Sequence, residues 1–372
     1  MFRLLCFLVF SCLFWACGKP QQPPVVSFYY WKTTLDDANL SDSAYVRFSP
    51  PDAPVFLRLF DVDYSAGYDG PVPVGELEMQ YIDRPVVPVV FITNRVFSNS
   101  KQQQLDSLPA KVARKISQRI DDLATKAHWT LFYTLPDSIR SKWGASTQID
   151  SFLPIWRSRF IHEIQIDCDW TAATQPAYFR FLEALKKQPL LKGRTLSCTV
   201  RLHQFRDRKT NGIPPVERGT LMCYNMESPK DTAARNAIFD PALLKGYIED
   251  QPDYPLPLDV ALPVFSWGAW FRSGEFRGLL SNWDAKLLSD TARFTALGSN
   301  LYQLKIDTVW SGDYLREGDM VRLDAANEAD VLSVKPLLKP LFGPDSRLLI
   351  FDWDTTKIDQ YERLVNPMLA DW

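Results

Sequence analysis

Eight short runs of apolar and β-branched residues recur along the 372-residue chain, and their number and spacing constrain the fold more than any other feature. They cover residues 25–32, 55–63, 86–94, 161–169, 196–203, 220–226, 258–267 and 347–354. Each is nearly continuous in apolar character and stops at polar residues. Strands covered on both faces of a parallel sheet read this way, because neither face meets water. Helical patterns lie between them. Val112, Ile116, Ile120, Leu123 and Ala127 fall on one face of a helix over 109–127. Thr174 and Pro176 open another, striped by Tyr178, Phe181, Leu182 and Leu185, and Asp240-Pro241 starts a third through Ile248. A last helix is expected over 327–338, whereas 36–52 is polar, ends in two prolines and reads as a poor helix. Strands alternating with helices give an α/β fold with a parallel sheet, open or closed. Eight of them at this length specify a (β/α)8 TIM-like barrel over 25–372, with an insertion at 271–345 between strands seven and eight. Within that insertion, residues 302–309 and 320–323 read as a hairpin around Gly312 and Gly318.

The first 17 residues read as a signal segment. Arg3 supplies the positive start, and the apolar stretch 4–16 is too short to span a bilayer. Ala16-Cys17-Gly18 follows directly and resembles the lipobox of bacterial lipoproteins, which implies lipidation at Cys17. Residues 18–24 are then a tether, and the expected location is the cell envelope, on a bacterial membrane through the N-terminal lipid. An ordinary secretory signal that happens to contain Cys17 is the alternative. Cys168, Cys198 and Cys223 remain, without metal-ligand spacing, and read as small buried hydrophobes. The net charge of −2 gives no sign of a nucleic-acid partner. No cofactor and no metal are expected: no glycine-rich phosphate loop, clustered ligand set or G-x-S-x-G is present.

A barrel carries its site at the C-terminal ends of its strands. Those ends hold Trp31; Asp61 and Asp63; Asn94; Asp167, Asp169 and Trp170; Arg201 and His203; Tyr224, Asn225 and Glu227; Trp267; and Asp352, Trp353 and Asp354. Carboxylates that bind hydroxyls or move protons, set among aromatic faces, suit carbohydrate. Asp167 and Asp169, two residues apart, share one strand face.

The segment Ile166-Asp167-Cys168-Asp169-Trp170-Thr171 resembles the fourth-strand signature of chitinase-type (family 18) glycoside hydrolases, D-x-x-D-x-D-x-E. Met222-Cys223-Tyr224-Asn225 resembles that family's M-x-Y-D, and residues 262–268 resemble its seventh-strand G-x-P-x-Y-G. Trp353 stands where the family keeps a sugar-stacking tryptophan. The chain is also similar to a group of bacterial barrel lipoproteins carrying an I-D-x-D motif. The resemblance implies glycan binding through Asp167, Asp169 and Tyr224. It departs at two acids. The family's catalytic Glu is Thr171 here, whose hydroxyl cannot protonate a glycosidic oxygen at neutral pH, and the M-x-Y-D aspartate is Asn225. The leading expectation is a degenerate barrel that binds glycan without turnover. One alternative is a hydrolase using Glu227, with Asp61, Asp63, Asp352 or Asp354 as further acids. Another is an envelope scaffold that binds protein.

Overall fold

The computed structural model describes residues 22–372, apart from 36–39, 41–42, 141–148, 282, 299, 311 and 371. The signal segment, Cys17 and most of the tether lie outside the described residues.

Eight parallel strands form the core: β1 (Val25–Tyr30), β2 (Val55–Ser65), β3 (Val86–Ile92), β4 (Glu163–Asp167), β5 (Thr195–Arg201), β6 (Arg218–Met222), β7 (Leu258–Pro263) and β8 (Arg347–Phe351). β1 pairs with both β8 and β2, so the sheet closes into a barrel. β2 runs on past the barrel into a short hairpin with Gly70–Val74. Most outward positions are aliphatic and buried under the helices. The inward face is unusually polar on two strands. β4 alternates Glu163, Gln165 and Asp167 with Ile164 and Ile166, and β5 alternates Ser197 and Thr199 with Leu196, Cys198 and Val200; all are buried. The inward residues meet across the barrel. Tyr29 donates to Gln165 at 2.7 Å, and Gln165 donates to Thr220 at 3.0 Å. At the N-terminal end, Arg347 reaches Glu163 at 2.8 Å and the fully buried Asp259 at 2.5 Å, while Arg218 reaches Asp259 at 2.8 Å. The pairing answers the desolvation that these charges would otherwise suffer.

Three of the expected helices are present with shifted ends, and the one expected over 327–338 is broken at Val334 into Glu328–Ser333 and Lys335–Leu338. α1 spans Gln102–Thr134, seven residues earlier than Pro109. The all-polar first turn hides its start, and Pro109 sits inside the helix rather than opening it. α2 (Ile149–Phe160), α3 (Gln175–Lys186), α4 (Pro241–Ile248) and α5 (Ile358–Leu369) follow. Asp240 caps α4 by accepting from the backbone N–H of Ala242 at 2.8 Å. The polar 36–52 connection does hold one short helix, Ser43–Phe48, whose Tyr45 and Phe48 pack into the core.

The insertion begins and ends earlier than 271–345. The 258–267 run is not one strand: β7 stops at Pro263, the chain turns, and Ser266–Arg272 joins a separate antiparallel sheet. Its strand order is Glu275–Ser281, Ser266–Arg272, Met320–Ala325, Leu301–Leu304, Phe294–Ala296. The expected pairing of residues near 302 with those near 321 is found there. This sheet has its own core of Trp270, Leu280, Trp283, Phe294, Leu304 and Val321. Gly268 is required in it, since a Cβ there would lie 2.7 Å from Val321 and 3.1 Å from Trp283.

Candidate functional site

The strand ends place two kinds of side chain around the barrel mouth. One is a charged cluster. Asp167, at the end of β4, is 6% exposed and accepts from the Thr199 hydroxyl at 2.6 Å. Asp169 stands beyond the strand, half-exposed at 52%, and faces Arg201 Nε at 3.4 Å. Arg201 also donates to the backbone carbonyl of Asn225 at 3.0 Å, which ties the ends of β5 and β6 together. Burial first, then the Asp169 charge and more weakly Asp61, push the Asp167 carboxyl up to about 7 against the opposing Thr199 bond and Arg201 charge. Asp61 is held in a two-bond pair by Arg58, one bond being 2.7 Å. His203 begins the turn after β5, beside Arg201 and Asp169; burial and then the Arg201 charge hold its imidazole below the ordinary value.

Two buried acceptors or donors complete this cluster. The Tyr224 hydroxyl and Asn225 Oδ1 are inaccessible and have no hydrogen-bond partner among the described residues. Tyr224 lies in the fields of Asp167, Arg201 and Asp169, and burial drives its phenol well above its ordinary value. Asn225 has φ of 53°, a left-handed conformation that asparagine tolerates better than most residues and that is common where a site aims a side chain.

The second kind is an aromatic wall. Trp31 packs on Phe351 with centroids 5.6 Å apart, Phe351 on Tyr224 at 5.1 Å and on Phe265 at 5.5 Å, and Phe265 on Trp267 at 5.4 Å. Trp31, Phe265, Trp267 and Phe351 are all half-buried, so each keeps some ring surface in solvent. Arg58 lies over the Trp31 ring, 5.4 Å from its centroid. The insertion sheet fixes the far end of the wall. Trp267 Nε1 donates to the buried Asp324 at 3.0 Å, and Asp324 is paired with buried Arg322 at 2.7 Å. Arg322 in turn donates to the carbonyls of Asp231 at 2.5 Å and Pro229 at 3.3 Å, clamping the loop that follows β6.

Several expected site residues lie elsewhere. Trp170 and Trp353 are fully buried, so neither offers a face to a ligand, a correction to both expectations. Trp170 turns back under α3, stacks on Tyr178 at 5.3 Å and donates to the Asn211 carbonyl at 2.9 Å. Trp353 stacks on Tyr361 of α5 at 5.0 Å, outside the barrel. Asp63 is taken up by its neighbours: burial raises its carboxyl, but bonds from the Thr93 hydroxyl at 2.5 Å, from the Arg95 guanidinium and from the Tyr64 N–H outweigh that and hold it below the usual range. The Asn94 side-chain oxygen is taken up by the Thr174 hydroxyl at 2.6 Å. Asp352 and Asp354 form a separate group with Lys32 and Lys357, Asp354 at 3.3 Å from Lys32; burial raises the Asp352 carboxyl against both lysines. Glu227 is half-buried on the segment after β6, where its backbone N–H donates to the Ala237 carbonyl. Thr171, in the position of the family's acid, is exposed; its hydroxyl lies 3.3 Å from that of Thr174, and its carbonyl accepts from the N–H groups of Thr174 and Gln175.

The sequence reading passed over Thr199, Phe265 and Phe351. The alternation Ser197-x-Thr199-x-Arg201 against Leu196, Cys198 and Val200 is a period-two signal that places Thr199 on the inward face beside Asp167.

Solved structures with a similar course of chain include a chitinase from Chromobacterium violaceum ATCC 12472, at 14% identity and a TM-score of 0.46 over 94% of this chain and 100% of that one. A glycoside hydrolase family 18 N-acetylglucosaminidase from Paenibacillus barengoltzii is 12% identical, with a TM-score of 0.45 over 93% and 99% of the two chains. The spore cortex-lytic enzyme SleL of Bacillus cereus is 13% identical, with a TM-score of 0.43 over 93% and 75%. No family model matches the chain, and no curated protein matches its sequence.

Proposed function

We propose that this chain is a lipid-anchored envelope protein that binds glycan at the mouth of its barrel and does not cleave it by the chitinase-type mechanism. The observation that carries the reading is the pairing of two orphaned polar atoms, Tyr224 Oη and Asn225 Oδ1, with a half-exposed aromatic wall from Trp31 to Trp267. A buried polar group without a partner costs about 1–3 kcal/mol, which favours a small rearrangement of the mouth that opens these two atoms to a ligand hydroxyl or amide. Sugar rings supply both such groups and apolar faces for the rings. Asp169, charged and half-exposed, is placed to accept further hydroxyls. Absence of chitinase-type turnover follows from Thr171, which puts a hydroxyl in place of the motif's acid.

One observation favours a second reading, hydrolysis through a relocated acid. Asp167, raised to about 7 by burial and the Asp169 charge, is a carboxyl able to hold a proton near neutral pH, as the acid of a glycosidase's carboxyl pair must. Glu227 is then the solvent-side carboxyl of that reading.

Titration calorimetry against soluble chitin and peptidoglycan fragments, and against plant and host glycan fragments, tests the proposal. Asp169→Asn is expected to weaken the best ligand by about tenfold, the size of a hydrogen bond to a charged group. Trp267→Ala is expected to weaken it by a similar factor through lost stacking. Glycan-independent binding of protein partners at the mouth, with no glycan titrating, would overturn it. Product release that Glu227→Gln abolishes would establish the second reading.

A further inference from the structure

The end of the molecule opposite the mouth carries a projection. α1 has 33 residues and so extends about 50 Å, against roughly 20 Å for a barrel strand. It starts beside the β2 hairpin at the mouth, where Gln104 binds the Asp69 carbonyl. It therefore overshoots the N-terminal edge of the barrel. α2 packs back along this overshoot, with Phe152 on His128 at 5.1 Å and Arg157 paired to Asp121, and leads into β4 at that edge. Four large apolar side chains are exposed on the projection: Leu131 at 46%, Tyr133 at 66%, Ile139 at 43% and Ile155 at 66%. β1 opens at the same edge with Val25, itself 46% exposed. Leu131, Tyr133 and Ile139 lie within nine residues around the far end of α1, and exposed apolar side chains concentrated at one end of an element mark a surface that meets something apolar.

We propose that the α1–α2 projection rests on the surface of the phospholipid bilayer that holds the anchor, so that the barrel stands on the membrane with its mouth turned away. This rests on the lipid anchor put forward above. Cys17 lies eight residues before Val25, a chain length that reaches about 28 Å at most. An acyl chain on Cys17 thus holds the N-terminal edge, and the projection beside it, within reach of the headgroups. The contact is interfacial, since among the described residues no helix is long and apolar enough to cross a membrane. It is apolar rather than electrostatic. Asp121, Asp122 and Asp137 are paired with Arg157, Arg119 and Arg140, so half of the six basic side chains over residues 119–160 are already neutralised and a phosphatidylcholine surface needs no attraction from the rest.

The full chain, isolated from membranes and placed in phosphatidylcholine vesicles bearing acyl-chain nitroxide, tests this. Fluorophore is attached in turn to Tyr133→Cys and to Tyr68→Cys, the latter on the hairpin at the mouth and 82% exposed. Cys168, Cys198 and Cys223 are fully buried and stay unlabelled. Quenching is expected to be about threefold or more stronger at 133 than at 68, and unchanged by salt at about 0.5 M. The triple variant Leu131→Ser/Ile139→Ser/Ile155→Ser should erase the difference with its melting curve preserved. Equal quenching at both positions in acylated protein overturns the contact and leaves the anchor standing. Protein whose mass shows no acyl chain overturns the anchor, and the contact with it.

Discussion

Asp167→Asn should stabilise the protein at neutral pH and leave it unchanged in acid. In the folded chain the carboxyl titrates near 7, because burial and then the Asp169 charge disfavour its ionised form. In the unfolded chain it titrates near 3.9. Between those values the folded state binds the proton and the unfolded state does not. Stability therefore falls as pH rises through this window, by up to about 1.4 kcal/mol per pH unit, and levels off above the folded value. Three units give about 4 kcal/mol as an upper limit. Asparagine keeps the oxygen that accepts from Thr199 and carries no charge to desolvate. The difference between variant and parent should grow from near zero at about pH 4 to roughly 2–4 kcal/mol above pH 7. Urea unfolding followed by tryptophan fluorescence, at half-unit pH steps, measures it. A difference that is constant with pH, or that grows toward acid, would refute the assignment of a raised carboxyl to this position.

The remaining expectations are briefer. Trp170→Ala should lower stability by about 3–5 kcal/mol, the scale of a large core truncation, without altering glycan affinity in the folded protein. Asp259→Asn strands part of the buried charge on Arg347 and Arg218, and should cost about 3–5 kcal/mol by the same denaturation assay. Arg322→Met should loosen the loop after β6 and strand Asp324, the anchor of Trp267, and so weaken ligand binding, read by calorimetry together with hydrogen exchange over residues 227–240.

The barrel was legible because each strand is covered on both faces, so that every run stood out against its polar connections. The runs overshot the strands where chemistry alone marks no end. Residues 258–267 read as one segment, yet the chain turns after Pro263 and Trp267 belongs to the insertion sheet. Residues 196–203 likewise hide the start of a helix at Leu202. Exposure was the quantity the sequence hid most. Trp170, Trp267 and Trp353 are alike as letters at strand ends, but the first is claimed by Tyr178 of α3 and the third by Tyr361 of α5. The stripes of those helices are visible in the sequence, but which end-of-strand tryptophan each will cover depends on the angle at which the chain leaves the barrel. The Asp167–Asp169–Arg201 cluster was readable residue by residue. The clamp from Arg322 to the β6 loop was not, because it joins segments about ninety residues apart.

The account turns on what sits at the mouth. The most direct measurement is the crystal structure of the protein saturated with the best-binding glycan fragment, with the bound sugar analysed for intact linkages. The predicted result is an uncleaved chain lying along Trp31 and Trp267, with its polar groups on Tyr224 Oη, Asn225 Oδ1 and Asp169. Sugar bound elsewhere on the surface, or sugar at the mouth with its linkage broken, would contradict it.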